Sequence, residues 1–482
     1  MWSKSCTDYN AFNKDEPDEL LLKVTESMTD TLSFEQNNYF EGLRECHFFA
    51  SKNKQFLSSS VKVFSKLIVR GFCNNKEIQP VNYDNLQTLQ DIKSKLIKIM
   101  GLSEKYQKEE RSWLSKYLPN TREDLPARSM NDSFDMAKVP LSSDLVLQNK
   151  YTTTCKSLRL GRILEDMDLF AVWIVLKHIH NPKLPPDVPN PYVIVTLLVD
   201  DVLINPERYP DLDLIFSGIV SYVGKTSVEV TLWLEQLQNN TLKRLTKANF
   251  VFVARDPTNQ KSVLVNPLKA NGKSEEKIME QSSKKNEERK KAHQDSILNK
   301  IPNIDELNLV YTIFLKTVDH KEPLLGNKVL PLGSVWMDDT KIESNILCHP
   351  EDRNLHHTVF GGYLMRVATE LAFLVASVHC KTRVTSRAIN SITFRNSVPI
   401  GTKLKLIGKI CYTKENVLVV EIIAKSVNIE TKTSLTTNTF YHVFVAPNIV
   451  DPVLPQSYHD CMLYLDGRRR YLEIYDSLFT KI

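Results

Sequence analysis

The sequence predicts an α+β protein made of two similar halves, each with one long helix followed by several antiparallel strands. Residues 161–179 (GRILEDMDLFAVWIVLKHI) have the apolar content and spacing of a buried helix. The runs that follow alternate in polarity and are rich in Val, Ile, Tyr and Phe, which is typical of strands. The second half repeats this order of elements, which indicates an internal repeat.

Composition limits the classes of protein that fit. A chain of 482 residues with 42% apolar and 25% charged residues is typical of a soluble protein with two or three domains. The 62 basic and 57 acidic residues argue against a dedicated nucleic-acid binder, although a net charge of +5 suits an anionic small ligand. No apolar run approaches the roughly 18–20 residues that span a bilayer, so we expect no membrane span. The eight cysteines form no CxxC pair, which favours reduced thiols and no metal site.

The N-terminal part divides by composition into an extension (1–76) and a helical lead-in (77–130). Within the extension, residues 46–76 contain Lys, Arg and Ser but no Asp or Glu, which is typical of a mitochondrial transit peptide. A basic surface helix is the alternative interpretation of this segment.

The two predicted domains cover residues 131–268 and 301–475, with a charged, solvated helical linker at 269–300 between them. Gly218 and Phe250 are 32 residues apart, and so are Gly408 and Phe440. A long helix wrapped by an antiparallel sheet is the hotdog architecture, and two such units commonly pair edge to edge with ligand sites at their seam. We therefore expect a tandem hotdog protein in which both partners of the pair lie on one chain.

Seven sequence blocks in order resemble the mitochondrial double-hotdog acyl-CoA thioesterases, over roughly residues 125–470. The blocks are LGRILEDMDLFAVWI, FSGIVSYVGKTSVEV, FVFVARD with VNPL, VLPLGSVWMDDTKIES, CHPEDRN, FGGYLMRVATELAF and MLYLDGRR. The resemblance implies hydrolysis of acyl-CoA to a free fatty acid and CoA, without a cofactor, in the mitochondrial matrix or alternatively the cytoplasm. It also implies a homo-oligomer, since hotdog pairs often assemble further.

The resemblance also implies a composite site. Related enzymes use an asparagine in the loop before one helix and an aspartate within the helix of the other repeat. These residues map onto Asn354, eight residues before Gly362, and Asp168, seven residues after Gly161. The position equivalent to Asp168 in the second helix is Thr369, and the segment TTTCKSLRLG (152–161) has neither the asparagine nor the double glycine. We therefore expect one competent site and one degenerate seam.

Thioester hydrolysis needs stabilisation of a negative carbonyl oxygen and an activated water. A helix N-terminus offers unpaired N–H donors and a partial positive charge, and glycine lets a ligand approach its backbone closely. We expect the backbone N–H of Gly362, with that of Gly361, to form the oxyanion hole. Asp168 is expected to act as general base, or alternatively as a nucleophile that forms a mixed anhydride. Asn354 would orient the water or the thioester through its amide.

Simpler roles exist for several of these residues. An acid near a helix start, such as Asp168, can serve only the helix dipole, and Asn354 can be a turn residue. His356 and His357 are possible bases, but adjacent loop side chains cannot both face one site. We expect His349 to begin a turn, and Glu370 to point away from the site.

The segment VGKTS (223–227) ends like a P-loop, but Ile219 stands where that motif needs glycine, so a hairpin turn is the better interpretation. Lys225, Arg383 and Lys381 are candidates for contacts with the CoA phosphates.

Two other functions fit the same scaffold. An enoyl-CoA hydratase of this fold uses an aspartate and a histidine five residues later, and Asp352 and His357 have that separation. A non-catalytic acyl-CoA sensor is the other alternative. The set of Asp168, Asn354 and Gly362 favours the thioesterase over both.

Overall fold

The computed structural model describes residues 83–101, 110–179, 184–185, 187–200, 202–238, 241–294, 297, 299–322, 327–354 and 358–479. All of them belong to one compact unit, Val69–Ile482. The N-terminal extension with its transit-like segment lies outside the described residues. The exact domain bounds stay a prediction.

The elements follow the predicted order, with a helix before the strands in each half. The first half contains helices α1 (Leu89–Met100), α2 (Met130–Ser133), α3 (Leu145–Tyr151) and α4 (Leu160–His178), and strands β1 (Asp135–Val139), β2 (Val193–Val199), β3 (Val202–Ile204), β4 (Leu214–Val223), β5 (Ser227–Gln238) and β6 (Thr241–Arg255). Helices α5 (Lys273–Gln294) and α6 (Ile304–Thr317) connect the halves. The second half contains β7 (Val335–Trp336), β8 (Ile342–Leu347), α7 (Gly361–Cys380), β9 (Thr385–Ile389), β10 (Ile392–Thr393), β11 (Lys403–Lys414), β12 (Val417–Val427), β13 (Ser434–Val445), β14 (Val453–Leu454) and α8 (Tyr458–Phe479).

Twelve of the strands form one antiparallel sheet that runs through both halves, in the order β1-β4-β5-β6-β3-β9-β13-β12-β11-β8. Strand β2 pairs with β6 and with β10, while β7 and β14 form a separate parallel pair. We call β1–β6 with α4 the first repeat, and β8–β13 with α7 the second repeat. The tandem hotdog fold predicted from the sequence is confirmed.

The repeats meet at a seam that has approximate two-fold symmetry. Val202 of β3 pairs with Ile389 of β9, and Ile392 of β10 pairs with Val199 of β2. Val202 and Ile392 are 190 residues apart, as are Val199 and Ile389, so the two pairings are equivalent. The seam is thus the junction expected between two subunits of a dimer, built within one chain.

Helices α4 and α7 lie under the sheet and cross at a pair of glycines. A Cβ at Gly161 would lie 2.8 Å from the Arg366 carbonyl oxygen, and a Cβ at Gly362 would lie 2.9 Å from the carbonyl oxygen of Glu165. Because neither position has room for a methyl group, both glycines are required by helix packing. Fully buried apolar residues recur along α4 at helical spacing and pack on the sheet: Ile163, Leu164, Met167, Phe170, Ala171, Ile174 and Val175.

The sequence predicted no apolar segment long enough to span a bilayer, and this was wrong for one helix. Of the helices in the described ranges, α7 alone is long and apolar enough to cross a bilayer. It packs on strands β11, β12 and β13, and half of its most apolar window is buried, as in the core helix of a globular domain. The absence of a membrane span stays a prediction.

The sequence spacing made Gly218 the counterpart of Gly408 and Phe250 the counterpart of Phe440, and only the first of these equivalences is confirmed. Strand register confirms Gly218 and Gly408 as equivalent residues, each within a strand and opposite an apolar residue of the next strand. The register of β6 and β13, however, makes His442 the counterpart of Phe250, two residues beyond Phe440. The reason is a longer connection between β12 and β13 than between β5 and β6.

The charged segment between the halves is helical, but it is not a fully solvated linker. Helix α5 packs on the first repeat, and Arg289 of α5 donates to both carboxylate oxygens of Asp200, at 2.7 and 2.6 Å. Arg289 also pairs with Glu229 of β5 at 2.8 Å. These buried partners could not be recognised from a segment whose composition is almost entirely polar.

Candidate active site

Asp168 lies fully buried in α4, where it faces strand β2 and the start of α7. Its Oδ1 accepts a hydrogen bond from the Thr196 hydroxyl at 3.0 Å. Burial raises the pKa of Asp168 to about 7, and Glu165 adds to this rise, while the bonds from Thr196 and from the Gly362 N–H act in the opposite direction. The carboxyl group therefore changes its charge near neutral pH, as a general base must.

The first residue of α7 brings the helix start against this carboxyl group. A Cβ on Gly361 would lie 3.3 Å from Asp168 Oδ2, and equally close to the Thr196 hydroxyl and the Phe394 ring. Glycine thus leaves room for the acid at the mouth of the helix. Phe360 caps the helix without a side-chain hydrogen bond, so the first N–H groups of α7 keep their partial positive charge.

The hydrogen bonding at this point is incomplete. Asp168 Oδ2 is buried and forms no hydrogen bond of good geometry with a described residue. The Gly362 N–H is near enough to lower the pKa of the carboxyl group. A buried carboxylate oxygen with one poorly aligned donor is unfavourable for folding, and such groups are common at functional sites.

The residues around Asp168 come from both repeats, and their role as a composite site stays a prediction. Asp168 and Thr196 come from the first repeat, while Gly361, Gly362 and Phe394 come from the second. The Phe394 N–H donates to the Leu197 carbonyl at 2.9 Å, which joins the second repeat to strand β2 directly beside Thr196. The structure thus brings Asp168 and the double glycine together across the seam.

Asn354 lies in the loop that leads into α7. Its N–H donates to the Thr358 carbonyl at 2.7 Å, and its Oδ1 accepts from the Thr358 N–H at 3.3 Å. His356 and His357 lie outside the described residues, between these two positions. Asn354 therefore serves as a turn residue in this loop, and its catalytic role stays a prediction.

Other polar residues near the helices have structural partners. Glu370 forms an ion pair with Arg159 at 2.6 Å, which confirms that it points away from Asp168. Asp166 accepts a hydrogen bond from the Tyr151 hydroxyl. His349 begins the 3-10 turn Pro350–Asp352, as expected.

The residues proposed for CoA phosphates lie on the surface. Lys225 is exposed in the hairpin turn between β4 and β5, where the Gly224 N–H donates to the Ser227 carbonyl at 2.9 Å. This confirms the hairpin interpretation of VGKTS. Arg383 is exposed between α7 and β9, beyond the end of α7 opposite to Gly361. Within the described ranges, no group of His, Cys, Asp or Glu side chains is arranged to hold a metal ion.

The other half of the seam keeps the backbone geometry but has different side chains. The Thr153 N–H donates to the Ser157 carbonyl at 2.9 Å, the same bond that Asn354 forms with Thr358, so Thr153 is the counterpart of Asn354. The Thr369 hydroxyl, at the position of Asp168, donates to the Met365 carbonyl within its own helix at 2.7 Å. By register and helix crossing, the counterparts of Thr196, Gly361 and Phe394 are Ser386, Leu160 and Ile204.

Two residues of the site escaped the sequence analysis. Thr196 is the single polar residue of β2 (VIVTLLV), and its 8% exposure shows that it points inward. A lone hydroxyl in an otherwise apolar strand was the available signal. Phe394 carried no comparable signal, because its position depends on the pairing of β10 with β2.

Comparisons with known proteins identify the family of this chain. A family described as the thioesterase superfamily matches residues 356–432. The chain is 35% identical over 398 residues to mitochondrial acyl-coenzyme A thioesterase 9 of Bos taurus, covering 81% of this chain and 90% of the relative. It is 34% identical over 390 residues to mitochondrial acyl-coenzyme A thioesterase 10 of Mus musculus, covering 80% and 88%. An acyl-CoA hydrolase structure from Staphylococcus aureus is 24% identical, with a TM-score of 0.28 over 29% of this chain and 92% of that one. The chain belongs to the acyl-coenzyme A thioesterase family, in the group of the mitochondrial thioesterases 9 and 10.

Proposed function

We propose that this protein is a mitochondrial thioesterase that hydrolyses fatty acyl-CoA to a free fatty acid and CoA, with Asp168 at the centre of its single competent site. Membership of the family supports the reaction and the location. The observation that carries the site is the buried carboxyl group of Asp168 against the uncapped start of a helix from the other repeat, with the Gly362 N–H beside it.

In the proposed reaction, Asp168 takes a proton from a water molecule as the water oxygen attacks the thioester carbonyl carbon. The new C–O bond forms while the carbonyl electron pair moves to the oxygen. The tetrahedral intermediate then collapses, the C–S bond breaks, and the CoA sulfur leaves with the proton that Asp168 returns. The pKa of about 7 suits both halves of this transfer.

The two glycines have different tasks in this proposal. The Gly362 N–H faces Asp168, and its missing Cβ serves helix packing against Glu165. The Gly361 N–H forms no hydrogen bond with another described residue and lies at the positive end of α7. We therefore assign Gly361 as the main oxyanion donor, in place of the leading role that the sequence gave to Gly362. Removal of one such donor typically costs on the order of 3 kcal/mol of transition-state stabilisation.

The test is release of free thiol from acyl-CoA substrates of several chain lengths. Wild-type protein should release CoA, and Asp168→Asn should reduce kcat/KM strongly while the protein stays folded. Asn354→Ala is expected to reduce kcat by roughly ten-fold to a hundred-fold, since it would lose the group that orients the water. Full activity in Asp168→Asn would exclude the proposed base.

Reaction in H₂¹⁸O separates the base from the nucleophile. With Asp168 as base, a single turnover places ¹⁸O in the fatty acid only. With a mixed anhydride that water cleaves at the Asp168 carbonyl carbon, the label of the first turnover enters the Asp168 carboxyl group, so label found there identifies Asp168 as the nucleophile.

The same samples address the two alternative functions. Hydration of crotonyl-CoA without release of CoA would favour a hydratase that uses Asp352 and His357. Tight binding of acyl-CoA with neither reaction would favour a sensor. Loss of CoA phosphate contacts in Lys225→Ala or Arg383→Ala should appear as a higher KM at unchanged kcat.

Assembly into a homo-oligomer is part of this proposal. Helix α6 exposes apolar side chains along one side, at 70% for Ile304, 60% for Tyr311 and 43% for Leu315. Such a row on a soluble protein is typical of a contact surface. Light scattering after gel filtration would measure the mass, and Tyr311→Glu with Leu315→Glu should lower it if α6 lies in the interface.

A further inference from the structure

A polar cavity lies on the side of the first repeat away from Asp168. It has a volume of about 210 Å³ and lies between helix α5 and the outer face of β5 and β6. Along β5, Leu232 and Leu234 point to the core, whereas Thr231 and Trp233 point outward and line the cavity. The cavity is therefore separated from the proposed active site by the sheet itself.

Three cations line this cavity: Arg244 and Lys247 from β6, and Lys285 from α5. Arg244 pairs with Glu235 at 3.2 Å. Among the described residues, no carboxylate forms an ion pair with Lys247 or Lys285. The other nearby acid, Glu229, is paired with Arg289. Two positive charges thus face the cavity without a matching negative charge.

The two lysines repel each other. Partial desolvation is the first cause that lowers the pKa of Lys247, although its side chain stays exposed at the surface; the charges of Lys285 and Arg244 lower it further, and Glu229 only partly opposes this. This unfavourable electrostatic arrangement would be relieved by a bound anion. The hydroxyl of Ser282, which is 5% exposed, lies in the same lining and offers a further hydrogen bond.

The second repeat shows that the fold does not require this cavity. Its corresponding face is covered by α8, and the counterparts of Thr231 and Lys247 are Glu421 and Thr439. There the space is filled by aromatic side chains, and the Tyr441 hydroxyl donates to Glu421 at 2.8 Å. The charges on this face of the second repeat are balanced as well.

On this face of the second repeat, the cation Arg470 also has partners. Arg470 of α8 lies over the Tyr441 ring at 3.7 Å and pairs with Asp466 at 2.9 Å. The cation on this face of the second repeat therefore has both an aromatic and an acidic partner. Among the described residues, this face of the first repeat has a hollow space lined by cations without a paired carboxylate, whereas α8 covers the corresponding face of the second repeat.

We propose that the cavity between α5 and the β5–β6 face binds a dianionic phosphate group through Lys247, Lys285 and Ser282. The charge of a dianion equals the two unbalanced lysines, whereas a single carboxylate would neutralise only one. Trp233 adds an aromatic wall, so a nucleoside phosphate would gain contacts that inorganic phosphate lacks.

The experiment measures binding to the full chain by calorimetry at low ionic strength, with inorganic phosphate and adenosine 5′-monophosphate as separate probes. The double variant Lys247→Ala/Lys285→Ala should weaken binding of both probes by at least ten-fold. Lys284→Ala is the matched control, because Lys284 is on the same helix but pairs with Glu280 at 2.8 Å, and it should bind within two-fold of wild type. Tighter binding of the nucleotide, lost in Trp233→Leu, would identify a nucleoside phosphate as the source of the group.

Thermal unfolding without phosphate shows whether the double variant is folded, and its Tm should equal or exceed that of wild type because repulsion has been removed. No binding of either probe at millimolar concentration would overturn the proposal. So would equal affinity in the double variant. Burial lowers the pKa of Arg208, and the charge of the neighbouring Arg387 lowers it further, so these arginines are a competing cationic site. Loss of binding in Arg387→Ala alone would also overturn the proposal.

Discussion

The two halves of the seam share one backbone and differ in their chemistry. The Asp168 half contains Asp168, Thr196, Gly361 and Phe394, and the Thr369 half contains Thr369, Ser386, Leu160 and Ile204. The loops before α4 and α7 even form the same backbone hydrogen bond. Duplication of a fold therefore preserved the packing on both sides, while the acid and its glycine remain on one side only.

This comparison separates residues that occur on both sides of the seam from residues that occur on one side only. Gly161 and Gly362 occur on both sides, because each allows the central helices to cross. Asp168 and Gly361 occur on one side only, where Gly361 leaves room for the acid. A buried carboxyl group is unfavourable for stability, so its presence in only one half indicates a chemical role.

The largest expected effect is on catalysis. Asp168→Asn keeps the size of the side chain but removes the base, and we expect kcat/KM for acyl-CoA to fall by about 10³-fold. Thr369→Val changes the equivalent position of the other half and should stay within about two-fold of wild type. Steady-state thiol release measures both. Equal losses in the two variants would mean that both halves are catalytic.

The second effect is on stability as a function of pH. The pKa of Asp168 is about 7 in the folded protein and near 3.9 in an unfolded chain, so the folded state holds the proton more tightly. Its contribution to stability is complete below the unfolded pKa and is lost as pH rises through 7. Asp168→Asn cannot ionise and should escape this loss, which amounts to at most about 4 kcal/mol.

Urea unfolding at pH 5 and at pH 8 gives the free energy of unfolding for both proteins. Other groups titrate in this range, including Asp166, whose pKa burial raises to about 6, but they are common to both proteins. The free energy of unfolding of Asp168→Asn should rise relative to that of wild type between pH 5 and pH 8. An unchanged difference would show that Asp168 is ionised, or protonated, throughout.

A third effect tests the symmetry itself. Gly161→Ala and Gly362→Ala each place a methyl group less than 3 Å from backbone atoms of the opposing helix. We expect each to lower the free energy of unfolding by about 2 kcal/mol, since neither contact is with a flexible side-chain end. Denaturant unfolding should give similar values for the two. A loss in only one variant would show that the two sides of the crossing are not equivalent.

Much of the fold was predictable because it follows from local patterns. The helix and strand order, the hairpin at Lys225 and the pairing of Asp168 with the double glycine could each be obtained from spacing or resemblance. The failures involve long-range register. The two-residue offset between Phe440 and His442 depends on a loop length, and the packing of α5 depends on partners such as Asp200 that are far away in sequence.

The site shows the same limit at the level of single side chains. Glycines next to each other look alike in a sequence, yet the missing Cβ of Gly361 leaves room for Asp168 and that of Gly362 leaves room for the Glu165 backbone. The difference of about 100° between neighbouring helix positions decides in which direction each Cβ would point. Only the crossing of α4 and α7 fixes that direction, and no local pattern encodes it.

The smallest expected effect concerns how the base is held. Thr196 donates to Asp168 Oδ1, which fixes the carboxyl group and lowers its pKa against the effect of burial. Thr196→Val keeps the shape of the side chain, removes this donor, and should reduce kcat by roughly ten-fold. It should also raise the pH at which kcat/KM is half-maximal, which a purely structural role would leave unchanged. Ser386→Ala, the same change in the Thr369 half, should alter neither quantity. A shift of the pH profile in Ser386→Ala would instead connect the second half of the seam to the chemistry of the first.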